Sequence, residues 1–265
     1  MITLFPGSTG PYVKLVQSVL NKIGYTPGAV DGVYGLIPDG IVGSATWNAL
    51  MRYLLGYDTY TVKAGDNVYG IARRYYTTPS AILTANPGLN PSNLTIGQQI
   101  IVPYGYDAVF TDIDYTYDIL DIQIRGLKAR YPFIEVSSAG NSVMGKYLYM
   151  INGSNQVSYN ASHHANEWIT TPLLMKFIEN FSKAYSIGGR LGNYSIPEIW
   201  NRSSLYIVPM VNPDGVDLVT LWPNYINPEY ERAASINRTG LPLPSVWKAN
   251  IRGTDLNLNY PAGLG

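Results

Sequence analysis

Cysteine is absent from the 265-residue chain. That excludes disulfides, thiolate nucleophiles and every cysteine-based zinc site. Charge is scarce too: Asp, Glu, Lys and Arg make up 14% of the residues, against about 25% in an average soluble domain. The 18 basic and 18 acidic residues cancel to a formal net charge of zero. A nucleic-acid binder carries a clear basic excess, so that class is excluded. No apolar run reaches the roughly 18 residues of a membrane span, which argues against a membrane protein. Met1 to Gly7 offers neither a basic start nor a long apolar stretch, so no signal peptide is visible. Histidine occurs only twice, at adjacent positions. What the chain does have is apolar content, 46%, and tyrosine, 23 residues. The first supplies cores. The second suits a surface that meets polar, weakly charged polymers such as glycans.

Length and pattern divide the chain into three segments, with boundaries expected at 1–56, 58–104 and 107–265. In the first, Val13, Val16, Leu20 and Ile23 recur at helical spacing and Gly24 follows where the helix should stop. Two Asp-Gly turns come next, at Asp31-Gly32 and Asp39-Gly40, and a second helix opens at Ser44. The order of Val13, Val16-Gln17, Leu20 and Gly24-Tyr25, the two turns, and Thr46-Trp47 with Leu50 resembles the small helical peptidoglycan-binding domain of cell-wall hydrolases. Only Leu36-Ile37-Pro38 separates the turns, where that family places a further helix, so this domain is expected in shortened form.

The second segment has β-prone ends, Thr59 to Val62 and Gln98 to Val102, around two short helical stretches. Val68, Ile71, Ala72 and Tyr75 mark the inner face of one, and Ile82, Leu83 and Asn86 are expected in the other. The run from Tyr60 to Tyr75, with Gly65-Asp66-Asn67, followed by the run from Ile82 to Pro103, with Asn86-Pro87-Gly88-Leu89-Asn90 and Gly97-Gln98-Gln99-Ile100, resembles a LysM module. The resemblance implies a βααβ fold that binds N-acetylglucosamine-containing glycan. Its groove would lie between Gly65, Asp66 and Asn67 on one loop and Asn86, Pro87, Gly88 and Leu89 on the other.

The third segment alternates helix and strand patterns, which argues for an α/β domain. A helix is expected over Tyr115 to Tyr131, strands over Tyr147 to Ile151 and Leu205 to Val208, and a helix from Pro172 to Tyr185. That last helix should turn Leu173, Phe177, Ile178 and Phe181 inward and take Thr171 as its N-cap. The two histidines stand in Ser162-His163-His164-Ala165-Asn166-Glu167-Trp168. Imidazole and carboxylate are zinc ligands, and a His and a Glu three positions apart project to one side of a turn.

Four blocks in order, Gly140 to Tyr149, Asn160 to Leu174, Val208 to Val216 and Trp247 to Pro261, resemble the zinc carboxypeptidase family. The resemblance implies a mixed-sheet α/β domain with Zn2+ held by His164 and Glu167, and His163 as a neighbour. It places Lys248 where the family has an arginine that polarises the scissile carbonyl, and Asn257 in the substrate site. Leu258 replaces the family's carboxylate-clamping arginine, and Asn166 replaces another arginine common in the histidine motif. Neither can reproduce the fork of a guanidinium. With glycan-binding modules upstream, the blocks are similar to the bacterial γ-D-glutamyl-L-diamino acid endopeptidases, which cut the peptide stem of peptidoglycan. The expected function is therefore that of a zinc peptidase at the cell wall or spore. The family's third ligand, a later histidine, and its glutamate base have no counterpart here, so the chain alone is expected to be inactive until a downstream segment or second polypeptide completes the site. The alternative is a non-catalytic cell-wall-binding protein with a degenerate peptidase domain.

Overall fold

The computed structural model describes residues 2–25, 41–152, 156–223, 227–237 and 239–260. The two Asp-Gly turns and Leu36-Ile37-Pro38 lie outside the described residues. Helix α1, Pro11–Lys22, begins with proline at its first position and ends before Gly24, whose φ of 88° is left-handed. Val13, Val16 and Val19 face inward at helical spacing. Helix α2, Ser44–Leu55, packs beside it, and Gly56 closes it at φ 76°. A Cβ on Gly56 would lie 2.9 Å from that of Ala108, so the close approach needs glycine twice over.

Strand β1, Tyr57–Thr61, pairs antiparallel with β2, Gln99–Pro103, around helices α3, Val68–Arg74, and α4, Pro79–Ala85. Asn67 caps α3 by accepting from the Gly70 amide, and Thr78 caps α4 through Ala81. Val62, Val68, Ile71, Ile82, Ile100 and Val102 fill a core of their own. This is the expected βααβ unit.

Helix α5, Tyr117–Arg130, is capped by Thr116 and followed by Pro132. It leads into β3, Glu135–Asn141, β4, Tyr147–Asn152, and β5, Gln156–Asn160. Helix α6, Thr170–Ser186, follows, then the small hairpin β6, Arg190–Leu191, with β7, Tyr194–Ser195, and α7, Ile196–Arg202. Strand β8, Ser204–Val208, completes a sheet of order β3-β4-β8-β5, in which β5 and β8 run parallel and the other pairs antiparallel. Helices α8, Pro213–Leu221, α9, Pro228–Ser235, and α10, Leu243–Val246, end the described fold. No helix among the described residues is long and apolar enough to cross a membrane.

Two expectations for α6 need correction. Leu173 is 72% exposed rather than inward. It lies with Tyr159 and Ala161 in a hollow beside β5, the outermost strand of the sheet, whereas Met175 and Ile178 take the buried face. Thr171 is not the cap: the helix already begins at Thr170, after helical backbone at Ile169. The Thr171 hydroxyl donates instead to the Pro209 carbonyl at 2.6 Å and lies 2.7 Å from the Ser162 hydroxyl.

Candidate metal centre

Parallel strands β5 and β8 end side by side, and their carboxyl ends build the site, as in open α/β sheets generally. Beyond β5 the chain turns sharply at Ser162, a buried non-glycine residue with φ 52°. Backbone strain of this kind persists only where surroundings over-determine it. Here the Ser162 amide donates to Thr170 Oγ1 at 2.9 Å, and its carbonyl accepts from the Asn212 amide at 3.0 Å. His163 and His164 follow the Ser162 turn, and the short turn Ala165–Glu167 comes next.

The Asn212 side chain donates to the carbonyls of His163, at 3.2 Å, and Ala249, at 3.1 Å. The Ala165 and Asn166 amides donate to the Lys248 and Trp247 carbonyls, both at 3.1 Å. The histidine turn and the 247–249 segment are thus laced together. A Cβ on Gly215 would sit 2.7 Å from the Ala249 carbonyl, so the Asn212-Pro213-Asp214-Gly215 block serves close packing as well as capping α8. Behind it, Lys146 binds Asp217 at 2.8 Å and Asp214 at 3.3 Å, with both carboxylates buried. The two negative charges hold the Lys146 ammonium ionised above its usual range despite burial.

His164 and Glu167 come together, with Nδ1 and Oε1 2.8 Å apart. The far imidazole nitrogen, Nε2, lies 3.4 Å from Asp255 Oδ1. Asp255 also accepts from the Asn257 amide at 2.9 Å. Carboxylate behind imidazole is the arrangement that fixes the tautomer and orientation of a ligating histidine. The role of Asp255 was not anticipated from the sequence, although it opens the Asp255 to Asn259 block. His163 pairs instead with the Tyr260 hydroxyl at 2.6 Å, and burial with the neighbouring His164 lowers its proton affinity.

The donors fit zinc in kind, one imidazole nitrogen and one carboxylate, and in direction. In number they are two. Among the described residues, no group of three His, Cys, Asp or Glu residues could hold a metal. Lys248, Asn257 and Leu258 are exposed, Leu258 at 77%. Asn166 turns its amide to the Ser245 carbonyl at 3.2 Å.

The sequence signature described as zinc carboxypeptidase matches residues 121–265, more than half of the chain. The chain belongs to that family. A LysM domain matches residues 60–103. Gamma-D-glutamyl-L-diamino acid endopeptidase 1 of Lysinibacillus sphaericus is 38% identical over 152 residues, 56% of this chain and 38% of that protein. The uncharacterized protein YqgT of Bacillus subtilis (strain 168) is 32% identical over 153 residues, 56% of this chain and 40% of its own length. The chain therefore spans about two-fifths of the length of these curated relatives.

In the LysM domain most of the polar side chains expected to face glycan serve the loops themselves. Asp66 accepts from the Tyr60 hydroxyl, the Lys63 amide and Arg74. Asn86 donates to the Ile82 and Ile101 carbonyls and accepts from the Ile101 amide. Asn67 is the cap of α3, and Leu89 packs on the domain's core. Gly65 and Gly88 are left-handed and, with Pro87, exposed.

Proposed function

We propose that the chain is the glycan-anchored, metal-binding part of a zinc peptidase that cuts the peptide stem of peptidoglycan at a γ-D-glutamyl bond to a diamino acid. The observation that carries the reading is the convergence of His164 Nδ1 and Glu167 Oε1, with Asp255 behind the imidazole. His164 and Glu167 would hold the metal, and Asp255 would keep the ligating nitrogen unprotonated and aimed. Zinc, when bound, supplies a Lewis acid and a water of lowered pKa. A catalytic zinc takes three protein ligands, so the proposal includes a third from another stretch of polypeptide.

Substrate choice follows from what the site lacks. Leu258 and Asn166 cannot grip a C-terminal carboxylate as a guanidinium does. Lys248, whose backbone is bonded to the histidine turn, offers a single cationic point at the rim. The LysM loops support attachment to the N-acetylglucosamine-containing cell wall through exposed backbone at Gly65 and Gly88, and tethering raises the effective stem-peptide concentration.

The test is zinc affinity by chelator competition on the 265-residue chain, with stem-peptide hydrolysis assayed in parallel. Weak binding that His164→Ala abolishes, and that Asp255→Asn weakens about tenfold, is expected. Zinc binding indifferent to both substitutions would remove the basis of the reading. Rapid release of C-terminal Phe or Leu from acyl dipeptides would overturn the substrate assignment.

A further inference from the structure

A groove of about 710 Å³ opens where the N-terminal helices meet the LysM domain; no residue of the loops at 65–67 and 86–89 lines it, although Arg74 in its wall pairs with Asp66 at 2.6 Å. Small-ligand pockets span about 300–1,000 Å³, so it is of ligand size. Its wall is tyrosine. Tyr104 stacks on Tyr53 at 5.2 Å between centroids and on Tyr106 at 5.5 Å, and Tyr75 tilts against it at 5.7 Å. These residues come from α2, the C-terminal cap of α3 and the segment after β2. Gly105 lets that segment pass, since a Cβ there would lie 1.6 Å from the Tyr76 carbonyl oxygen.

The wall carries hydrogen-bonding capacity that the protein does not use. Among the described residues the Tyr104 hydroxyl has no hydrogen-bond partner. Arg52 lies over the Tyr53 ring at 4.8 Å and approaches Asp58 only at 3.8 Å, and with its side chain 52% exposed it keeps further guanidinium N–H groups in solvent. Asp58 takes the Tyr75 hydroxyl on Oδ2 at 3.2 Å, which leaves Oδ1 open. Burial and the Asp58 charge push the Tyr75 hydroxyl up to about 12, so it stays a neutral donor at physiological pH.

We propose that this junction groove is a second saccharide-binding site, taking a pyranose unit of a glycan chain against its tyrosine wall, with Arg52 donating to and Asp58 accepting from sugar hydroxyls. A sugar presents apolar C–H edges and hydroxyls that both donate and accept. Aromatic rings beside a guanidinium and a carboxylate answer all three. An apolar ligand would take Arg52 and Asp58 out of water without adding a hydrogen bond to either. Lys22 and Arg74 also line the groove, but Lys22 donates to the Asp107 and Val109 carbonyls and Arg74 to Asp66, so a polyanion would find Arg52 beside the Asp58 carboxylate. The inference rests on the reading that the chain works on glycan, but not on the metal centre.

The experiment titrates the full chain with the N-acetylglucosamine tetramer and follows backbone amides by NMR. Shifts are expected at Tyr53, Asp58, Tyr75 and Tyr104, and Arg52→Gln should weaken them about tenfold by removing charged hydrogen bonds. Tyr104→Phe should act in the same direction. Arg52 sits on the exposed face of α2, so its variant keeps the test open if Tyr104→Phe fails to fold. Shifts confined to 65–67 and 86–89 would overturn the junction site while leaving LysM attachment standing. Junction shifts unmoved by either substitution, or no shifts at all, would overturn it too.

Discussion

At the scale of single residues, Asp66 shows how a loop side chain sets a pH limit. Its carboxylate accepts from the Lys63 amide, the Tyr60 hydroxyl and Arg74, and the Lys63 bond is the largest of the effects holding it below the usual carboxylate range. A lowered pKa means that the native state favours the ionised form. The stabilisation is therefore complete above the unfolded carboxylate pKa, near 4, and is lost as pH falls through the lower folded value. Asp66→Asn should destabilise the LysM domain at pH 7 and flatten its acid limb, measured as the denaturation midpoint between pH 7 and 2. An unchanged acid limb would assign the pH limit to other groups. The motif around Asp66 was legible in the sequence, but its use was not. Residue type and spacing marked a glycan loop, whereas the bonds depend on Arg74 at the far end of α3. Asp255 escaped for a similar reason, because its partner His164 lies far away in the chain.

At the scale of elements, periodicity located α1, α3 and α5, because each has one buried face and the burial period is visible in sequence. Short apolar runs located β4 and β8, whereas β3, with Ser137, Ser138 and Asn141, and β5, with Gln156, Ser158 and Asn160, carry no such run and went unread. Periodicity failed at Leu173, where inwardness depends on what lies beyond the edge strand rather than on α6 itself. It was silent on Gly126, in the interior of α5. Glycine there costs about 1 kcal/mol relative to alanine as helix propensity alone. The structure supplies the compensation: a Cβ would lie 2.3 Å from the Leu55 carbonyl oxygen, so the residue lets α5 lie against the end of α2. Gly126→Ala should therefore lower stability, by about 1–3 kcal/mol, as over-packing does. Chemical denaturation would check it. A gain in stability, the usual outcome for glycine in an open helix, would show that α2 and α5 do not meet this closely.

At the scale of the whole molecule, the three segments read from sequence do not have three separate cores. Val13 and Val19 of α1 and Leu50 and Leu54 of α2 share one core with Phe110, Ile119 and Leu127. Polar contacts bind the same halves: Tyr12 donates to Asp118 at 2.8 Å, Lys14 pairs with Asp114 at 3.0 Å, and Ser18 donates to Asp112 at 2.8 Å. The LysM domain keeps a core to itself and meets the rest through the Tyr53, Tyr75, Tyr104 and Tyr106 rings and where β1, β2 and α4 approach α5. Motif order could not foretell this, because family resemblance describes each module's own pattern and not the surface it lends to a neighbour. Residues of one core open together in native-state hydrogen exchange, and residues of separate cores need not. The slowest amides of α1, α2 and α5 should then exchange with one common free energy and one common denaturant dependence. Those of α3, α4 and β2 should form a second, independent group. Removing residues 1–56 should bare Ile119 and Leu127 and leave the remainder prone to aggregation, an effect no change within the LysM core should reproduce. Exchange of α1 and α2 at a lower free energy than α5 would mean that the N-terminal helices are a separate bead, and would sever the mechanical link between them and the metal centre.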